Sequence, residues 1–414
     1  MTAIDARPSL LTTSASGYTA PGFERMRGVL ECAVIRRRED GCAVGAYVDG
    51  VKVVDLWCGS SGDRPWAEDT LAVMFSATKG VTALCAQMLY SRGLLDLDAP
   101  VTRYWPEYGQ AGKAGTLVRH LLNHRAGVVS FPRYWEVLGR DASGLADWHM
   151  VVEHLAASPP SWPPGTRRKY HPLTYGFLIG EVIRRIDGRT PGRFFADEVA
   201  RPLGLDLHIG APEDVLPRVA ETLPAPAVDV ARGAIHWRVV ARLLEQSRHR
   251  AQTVLRNGGT GIEMRVLGLS GVFVDPDAGP EDNQLTRIAN DFLRAELPAG
   301  NAVASGRDLA RMYALLACGG ELDGVRLVSP ESIERFRPRT HRLLPPLMGM
   351  GMGYSQVGLL RVPTKTAFGH PGAGGSLGFA DTERRVSFGL VKNRMRNEPW
   401  GLAADLVRAL YACL

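Results

Sequence analysis

The chain has 414 residues, of which 45% are hydrophobic and 22% charged, so it can bury a large core without metal ions or disulfides. Its net charge is +6, yet the arginines are scattered and no basic run alternates with aromatic residues, which argues against a nucleic-acid partner. The six cysteines show no CxxC spacing and are expected to be reduced thiols.

The first residues, 1–18, contain early charges and no apolar stretch of signal-peptide length. No later stretch is long and apolar enough to span a bilayer. We therefore expect a cytoplasmic protein without a membrane partner, and we assign residues 1–22 to an N-terminal tail.

Two elements are predicted in the next part of the chain. Residues 43–57 alternate around Asp49 and Gly50, a dipeptide typical of the tight turn of a β-hairpin. Beyond Ser76, apolar residues recur at the spacing of a one-sided helix, which Gly93 ends. These apolar residues are Val81, Leu84, Cys85, Met88 and Leu89.

The middle of the chain, residues 117–312, is dominated by helical patterns separated by proline and glycine. Residues 173–186 and 237–255 are examples. This composition predicts a mostly helical lobe.

The signals change back to strands near the C-terminus. Ser305 is a candidate cap for a helix over residues 307–316. A second hairpin is predicted from residues 375–381 and 385–393, and a last helix begins near Leu402.

Together these elements predict an α+β fold. Strands from both chain ends form an antiparallel sheet with helices on its faces, and a mostly helical lobe is inserted between them. We place the sheet domain at residues 23–103 and 300–414 and the lobe at residues 104–299.

Ser76 and Lys79 form a Ser-x-x-Lys pair at the start of the predicted helix. Residues three apart share a helix face, so the hydroxyl and the amine can come within hydrogen-bond reach. A buried lysine with a lowered pKa can take the serine proton, and the Ser76 N–H can donate to an oxyanion. The pair predicts a serine nucleophile that forms an acyl-enzyme, with a capping serine and a surface lysine as the alternative.

Three further segments accompany this pair: residues 93–101 (GLLDLDAPV), 121–127 (LLNHRAG) and 162–166 (WPPGT). Together they resemble the serine β-lactamase and penicillin-binding-protein superfamily, in particular its class C β-lactamase-like esterases (family VIII carboxylesterases) and related transacylases. The resemblance runs from about residue 23 to the C-terminus. It implies a β-lactamase-like fold and acyl-enzyme chemistry without a cofactor or metal.

The second motif of that family, Tyr-x-Asn, is matched by Tyr170-His171-Pro172, which keeps the tyrosine and loses the asparagine. By resemblance Tyr170 is the general base, held partly as a phenolate by the nearby Lys79 ammonium. Lys79 acting alone is the alternative. His171 is assigned to substrate binding or, equally, to orienting Tyr170, and the missing asparagine argues against efficient β-lactam turnover.

The third motif, Lys-Thr-Gly in many members, is matched by His370-Pro371-Gly372. The lysine of that motif helps bind a substrate carboxylate, whereas His370 is neutral or only partly charged near pH 7. A neutral ester or amide is therefore favoured as the substrate.

The resemblance also assigns the oxyanion hole. Its donors are the N–H of Ser76 and the N–H of Ala373, and Gly372 and Gly374 are placed beside the substrate.

Two competing patterns are weaker. Residues 374–378 read as Gly-x-Ser-x-Gly around Ser376, but a strand is predicted after them, where a nucleophile elbow would require a helix. His120 and His124 have no carboxylate or cysteine arrangement of a metal site, so packing or hydrogen bonding is expected for them.

The leading functional prediction is a serine hydrolase that forms an acyl-enzyme on Ser76 and cleaves a small-molecule ester or amide. An acyl transferase of secondary metabolism would use the same residues. A β-lactamase or D-aminopeptidase is less favoured. A non-catalytic binding or sensor protein is least favoured, because it would not need an acylation apparatus.

Overall fold

The computed structural model describes residues 13–36, 39–129, 143–223, 290–338, 351–357, 364–396 and 401–414. The helix expected over residues 237–255 lies outside them. Within the described ranges, no helix is long and apolar enough to cross a bilayer. The cytoplasmic location stays a prediction.

One antiparallel sheet unites the two ends of the chain. In chain order, the strands are β1 (Ser16–Thr19), β2 (Gly41–Val48), β3 (Val51–Ser61), β4 (Arg64–Pro65), β5 (Ala72–Val73), β6 (Leu207–His208), β7 (Val303–Ala304), β8 (Glu321–Leu322), β9 (Val325–Arg326), β10 (Ser355–Gln356), β11 (Phe368–Pro371), β12 (Leu377–Asp381) and β13 (Val386–Lys392). The main sheet has the order β1-β3-β2-β13-β12-β11-β10, with β4 paired to β3. Both predicted hairpins are present, and the antiparallel α+β prediction is confirmed.

Helices cover both faces of the sheet. In chain order, they are α1 (Glu24–Ile35), α2 (Thr78–Ser91), α3 (Val118–Leu122), α4 (Trp148–Ala157), α5 (Thr174–Asp187), α6 (Pro191–Phe195), α7 (Arg201–Leu203), α8 (Asn290–Arg294), α9 (Gly306–Ala317), α10 (Pro330–Phe336) and α11 (Leu402–Tyr411). Ser305 caps α9 as predicted, because its Oγ accepts from the Asp308 N–H at 3.1 Å.

Helix α9 packs against one face of the sheet at very short range, because glycines lie beneath it. A Cβ at Gly45 would lie 2.5 Å from Arg307 Cα, and one at Gly389 would lie 2.3 Å from the Gly306 carbonyl oxygen. Helices α1 and α11 pack on each other and bury the other face of the sheet. The sheet therefore has an apolar core on each side.

Helix α2 lies at the centre of the molecule. Its spacing predicts one apolar face, but every residue from 78 to 89 is buried. The one-sided prediction is wrong because α5 and α6, from a later part of the chain, also pack against α2. The first turn of this helix is thereby shielded on all sides, which determines the chemistry of Lys79.

The N-terminal stretch assigned to a tail contains ordered structure. Strand β1 pairs with β3, so that Ser16 lies opposite Trp57 and Thr19 opposite Val54. Residues 16–19 thus form a strand that the sequence analysis did not predict, since a four-residue edge strand carries too short a pattern to be recognised. The other boundaries, at residues 103 and 300, stay predictions.

Candidate active site

The backbone at Ser76 forms a tight entry to α2. A 3₁₀ turn, Phe75–Ala77, leads directly into the helix, and Phe75 has a φ of 49°, a left-handed value that few non-glycine residues adopt. The Met74 N–H donates to the Ala302 carbonyl at 2.8 Å, which anchors the turn to the chain before α9. Ser76 remains partly exposed at this corner. Strain of this kind is typical of functional sites.

Lys79 is fully buried directly below Ser76. Its Nζ donates to the Ala299 carbonyl at 2.8 Å and lies 3.3 Å from Ser76 Oγ. Burial lowers the pKa of Lys79 well below the ordinary value of a lysine, and no described carboxylate offsets that effect. The amine therefore loses its proton more easily than an exposed lysine does, and the contact with Ser76 lets the hydroxyl donate to the free amine.

Residues 298–302 run along α2 and supply the partner of Lys79. Thr82 Oγ1 donates to the Pro298 carbonyl at 2.6 Å, and the Ala302 N–H donates to Thr78 Oγ1 at 3.1 Å. Gly176 on α5 permits this close approach, because a Cβ there would lie 2.6 Å from the Ala299 nitrogen. The Ala299 carbonyl that accepts from Lys79 thus lies in a segment that packs against both α2 and α5.

Tyr170 lies above Lys79, whose Nζ is 4.9 Å from the centre of the phenol ring. The tyrosine is 37% exposed, so one side of it faces solvent. Burial of the rest raises the pKa of Tyr170 above its usual value, and the hydrogen bond to Ser76 opposes that rise. The expected partial phenolate is therefore not what this environment favours: Tyr170 is a neutral phenol when Lys79 is a free amine.

His370 completes the group from strand β11. The ring is buried, and its Nδ1 lies 2.7 Å from the Pro371 carbonyl oxygen, so Nδ1 carries the proton and Nε2 is an acceptor. Burial, together with the charge of Lys79, lowers the pKa of His370 to about 3. The predicted neutral state at pH 7 thus agrees with its surroundings, and its ring centre lies 6.2 Å from that of Tyr170.

The two expected oxyanion donors occupy neighbouring turns. The Ala373–Gly375 turn follows β11 and packs against the Phe75–Ala77 turn. Among the described residues, the N–H groups of Ser76 and Ala373 donate to no backbone carbonyl. Both donors are therefore available to a bound group at this corner.

The glycines of this loop have different neighbours. A Cβ at Gly372 would lie 2.1 Å from the Met74 carbonyl oxygen, so this glycine lets the loop close on the nucleophile turn. Gly374, with a φ of 81°, is buried against Met395. Close contacts within the protein therefore explain why both positions are glycine.

His171 and Ser376 are placed away from solvent. His171 is fully buried, with Nδ1 2.7 Å from the Lys169 carbonyl oxygen, and burial lowers its pKa to about 4. This placement fits the role of a neighbour of Tyr170 better than direct substrate contact. Ser376 is 2% exposed and enters strand β12, so the nucleophile-elbow pattern lacks its helix.

The structure adds three groups that the sequence did not single out. They are the Ala299 carbonyl, the buried Tyr175 hydroxyl, and Tyr313, which lies so close to α2 that a Cβ at Gly80 would be 2.1 Å from its hydroxyl oxygen. No local signal marks a backbone carbonyl, but the tyrosines follow from the helical spacing of α5 and α9. Among the described residues, no group of three metal-ligating side chains is present.

Comparison with known proteins places this chain in a family. The family model described as Beta-lactamase matches residues 26–412. The Esterase/beta-lactamase LipL of Mycobacterium tuberculosis is 36% identical over 87% of this chain and 78% of its own length. The crystal structure of a family VIII carboxylesterase has a TM-score of 0.77 at 32% identity, covering 97% of this chain and 100% of that one.

A penicillin-binding protein homologue from Caulobacter crescentus is equally similar, with a TM-score of 0.78, 31% identity and coverage of 97% of this chain and 100% of that one. The fold and the matched length define a serine hydrolase of the acyl-enzyme type. This chain belongs to the Beta-lactamase family.

Proposed function

We propose that the protein is an esterase in which Ser76 is the nucleophile, Lys79 is the first proton acceptor, and Tyr170 relays the proton. The observation that carries this proposal is the 3.3 Å contact between Ser76 Oγ and the buried Lys79 Nζ, whose pKa is lowered by desolvation. It gives a serine hydroxyl an uncharged base without a histidine or a metal ion.

Acylation begins with the substrate carbonyl between the N–H groups of Ser76 and Ala373. Ser76 Oγ forms a bond to the carbonyl carbon while its proton passes to the Lys79 amine, and the oxyanion accepts from the two N–H groups. Collapse breaks the bond to the leaving oxygen. The phenol of Tyr170 gives its proton to that oxygen and regains one from the Lys79 ammonium, which returns the amine.

Deacylation repeats these steps with water. The water gives its proton through Tyr170 to Lys79, and its oxygen attacks the acyl carbon. When the ester bond to Ser76 breaks, the proton returns to Oγ, so the enzyme is regenerated and a carboxylic acid is released.

The preference for a neutral substrate rests on His370. A neutral ring offers no positive charge to a substrate carboxylate. Loss of a charge-assisted hydrogen bond weakens binding by about 1.5–3 kcal/mol. We therefore expect p-nitrophenyl butyrate to be cleaved with a kcat/KM about tenfold or more above that of a carboxylate-bearing β-lactam.

The proposal is tested by ester hydrolysis with wild type and Ser76→Ala. The variant is expected to lose about a thousandfold or more in kcat, because no nucleophile replaces the hydroxyl. Adding an alcohol or an amine distinguishes an acyl transferase from a hydrolase, since a transferase would form an ester or amide in place of the free acid. Wild-type turnover by Ser76→Ala would overturn the proposal.

A further inference from the structure

His124 is bonded to the backbone on both sides of Tyr170. The Lys169 N–H donates to the His124 carbonyl at 3.1 Å, and the His171 N–H donates to His124 Nδ1 at 3.1 Å. One residue thus accepts both backbone hydrogen bonds that flank the tyrosine.

The His124 ring also contacts the phenol directly. The ring centres of His124 and Tyr170 are 4.9 Å apart at an interplanar angle of 44°, and Tyr175 packs against the imidazole at 5.1 Å. The side chain is completely buried. Because Nδ1 accepts a hydrogen bond, the ring is neutral and its proton is on Nε2.

The environment keeps the imidazole in that state. Burial lowers its pKa well below the ordinary value, and the nearby His171, Lys79, His370 and Arg168 lower it further. No described residue bonds Nε2. Protonation of Nδ1 would remove the acceptor for the His171 N–H, so the hydrogen bond exists only with the neutral ring.

The backbone of His124 is itself held in a rare conformation. Its φ is 62°, just beyond the end of α3, and the Arg125 N–H donates to the His120 carbonyl at 2.8 Å to close the helix end. Few non-glycine residues adopt this conformation, although asparagine and histidine do so more often than others. This geometry turns the carbonyl and the ring of one residue toward the same segment.

We propose that His124 is a positioning residue that fixes the Tyr170 phenol above Ser76 and Lys79 through its neutral Nδ1 and its carbonyl. The inference rests on the proposed function of Ser76 and Tyr170. A misplacement of about 1 Å in such a site costs about a hundredfold in rate. Loss of the hydrogen bond to His124 Nδ1 is therefore expected to lower kcat more than it raises KM.

The chain allows a matched set of variants. His124→Asn keeps an acceptor two bonds from Cβ, at the place of Nδ1, and tolerates the positive φ. His124→Gln has the same polarity but places its acceptor one bond farther away. His124→Leu removes the acceptor at similar size, and His149→Leu, on the exposed side of α4, is the control.

The readouts are the rate at which a fluorophosphonate labels Ser76 and the kcat and KM for p-nitrophenyl butyrate. We expect His124→Leu and His124→Gln to lower the labelling rate and kcat by about thirtyfold with KM changed by less than about threefold. His124→Asn and His149→Leu should stay within about fivefold of wild type.

A double-mutant cycle isolates the link to Tyr170. In the Tyr170→Phe background, replacing His124 by leucine should cost less than about twofold more, because the positioned hydroxyl is already gone. Additive losses, equal rates for the asparagine and glutamine variants, or an unimpaired His124→Leu would overturn the inference. If His124→Leu does not fold, the comparison of His124→Asn with His124→Gln still tests the role of His124. Absence of labelling at Ser76 in wild type would instead refute the proposed function.

Discussion

At the scale of single residues, the central question is which group takes the proton of Ser76. The pKa values of Lys79 and Tyr170 shift in opposite directions, because burial lowers the pKa of the amine and raises that of the phenol. These shifts favour the amine form of Lys79 and the phenol form of Tyr170, the combination in which the lysine accepts and the tyrosine donates.

The pH dependence of kcat/KM tests this assignment. Since the amine is the active form, activity should fall with a slope of one as pH drops below the pKa of Lys79. His370 and His171, with pKa values of about 3 and 4, do not change charge between pH 5 and 9. Replacing His370 by asparagine should thus move the midpoint by less than about half a pH unit.

The measurement is kcat/KM for p-nitrophenyl butyrate from pH 5 to 9 in wild type and His370→Asn. An acid limb near pH 6.5 that disappears in the variant would assign the base to a histidine, against this account.

The sequence predicts most of these residues because their signals are local. Ser76 and Lys79 are three apart, and Tyr170 and His370 lie in short motifs that the structure brings to one corner. The Ala299 carbonyl could not be found, since it is a backbone atom 220 residues from its partner. His124 was expected only to pack or hydrogen-bond, because its partners are backbone N–H groups, which carry no side-chain pattern.

At the scale of elements, the site depends on how closely α5 approaches the segment before α9. Gly176 is the contact point, since a Cβ there would lie 2.6 Å from the Ala299 nitrogen and 2.7 Å from the Pro298 carbonyl carbon. These are backbone atoms, which cannot move aside as a flexible side chain would. The absence of a side chain at Gly176 thus lets the Ala299 carbonyl stay within hydrogen-bond distance of Lys79.

Gly176→Ala is expected to destabilise the protein by about 1–3 kcal/mol through overpacking and to lower kcat about tenfold or more by displacing the lysine acceptor. Gly28→Ala is the control, since it lies on the exposed side of α1 with open space around it and should stabilise that helix by about 1 kcal/mol. Urea unfolding and ester hydrolysis of both variants give the comparison. Equal behaviour of the two variants would contradict the contact argument.

At the scale of the whole molecule, burial of neutral histidines links the site to stability. An unfolded histidine has a pKa of about 6.5, whereas His370 and His171 have values of about 3 and 4 in the folded protein. The unfolded chain therefore binds more protons below pH 6.5, and the free energy of unfolding falls as pH falls. These two buried histidines alone therefore make the folded protein less stable in acid.

His370 accounts for about 1.6 kcal/mol of the stability that wild type loses between pH 6.5 and 5, because the unfolded histidine is half charged at pH 6.5 and almost fully charged at pH 5. His370→Asn should therefore lose about that much less stability over the same range. Denaturant unfolding at both pH values measures this difference, with the exposed His149→Asn as the control. A loss as large in His370→Asn as in wild type would show that His370 is not the group that titrates.

The overall architecture was largely predictable because both hairpins carry turn signals and alternate in polarity. The burial of α2 on all sides was not, since its outer face is covered by α5 and α6 from distant parts of the chain. Strand β1 was also missed, because its four residues are mostly exposed and gain their structure only by pairing with β3. Long-range contacts, which leave no local pattern, account for each of these differences.

The central claim, that Ser76 is the acylated nucleophile, is tested most directly by fluorophosphonate labelling followed by intact mass and peptide mapping. We predict a single adduct on the peptide that contains Ser76 and none in Ser76→Ala. An adduct on another serine, such as Ser376, or an active esterase that is never labelled, would contradict the account.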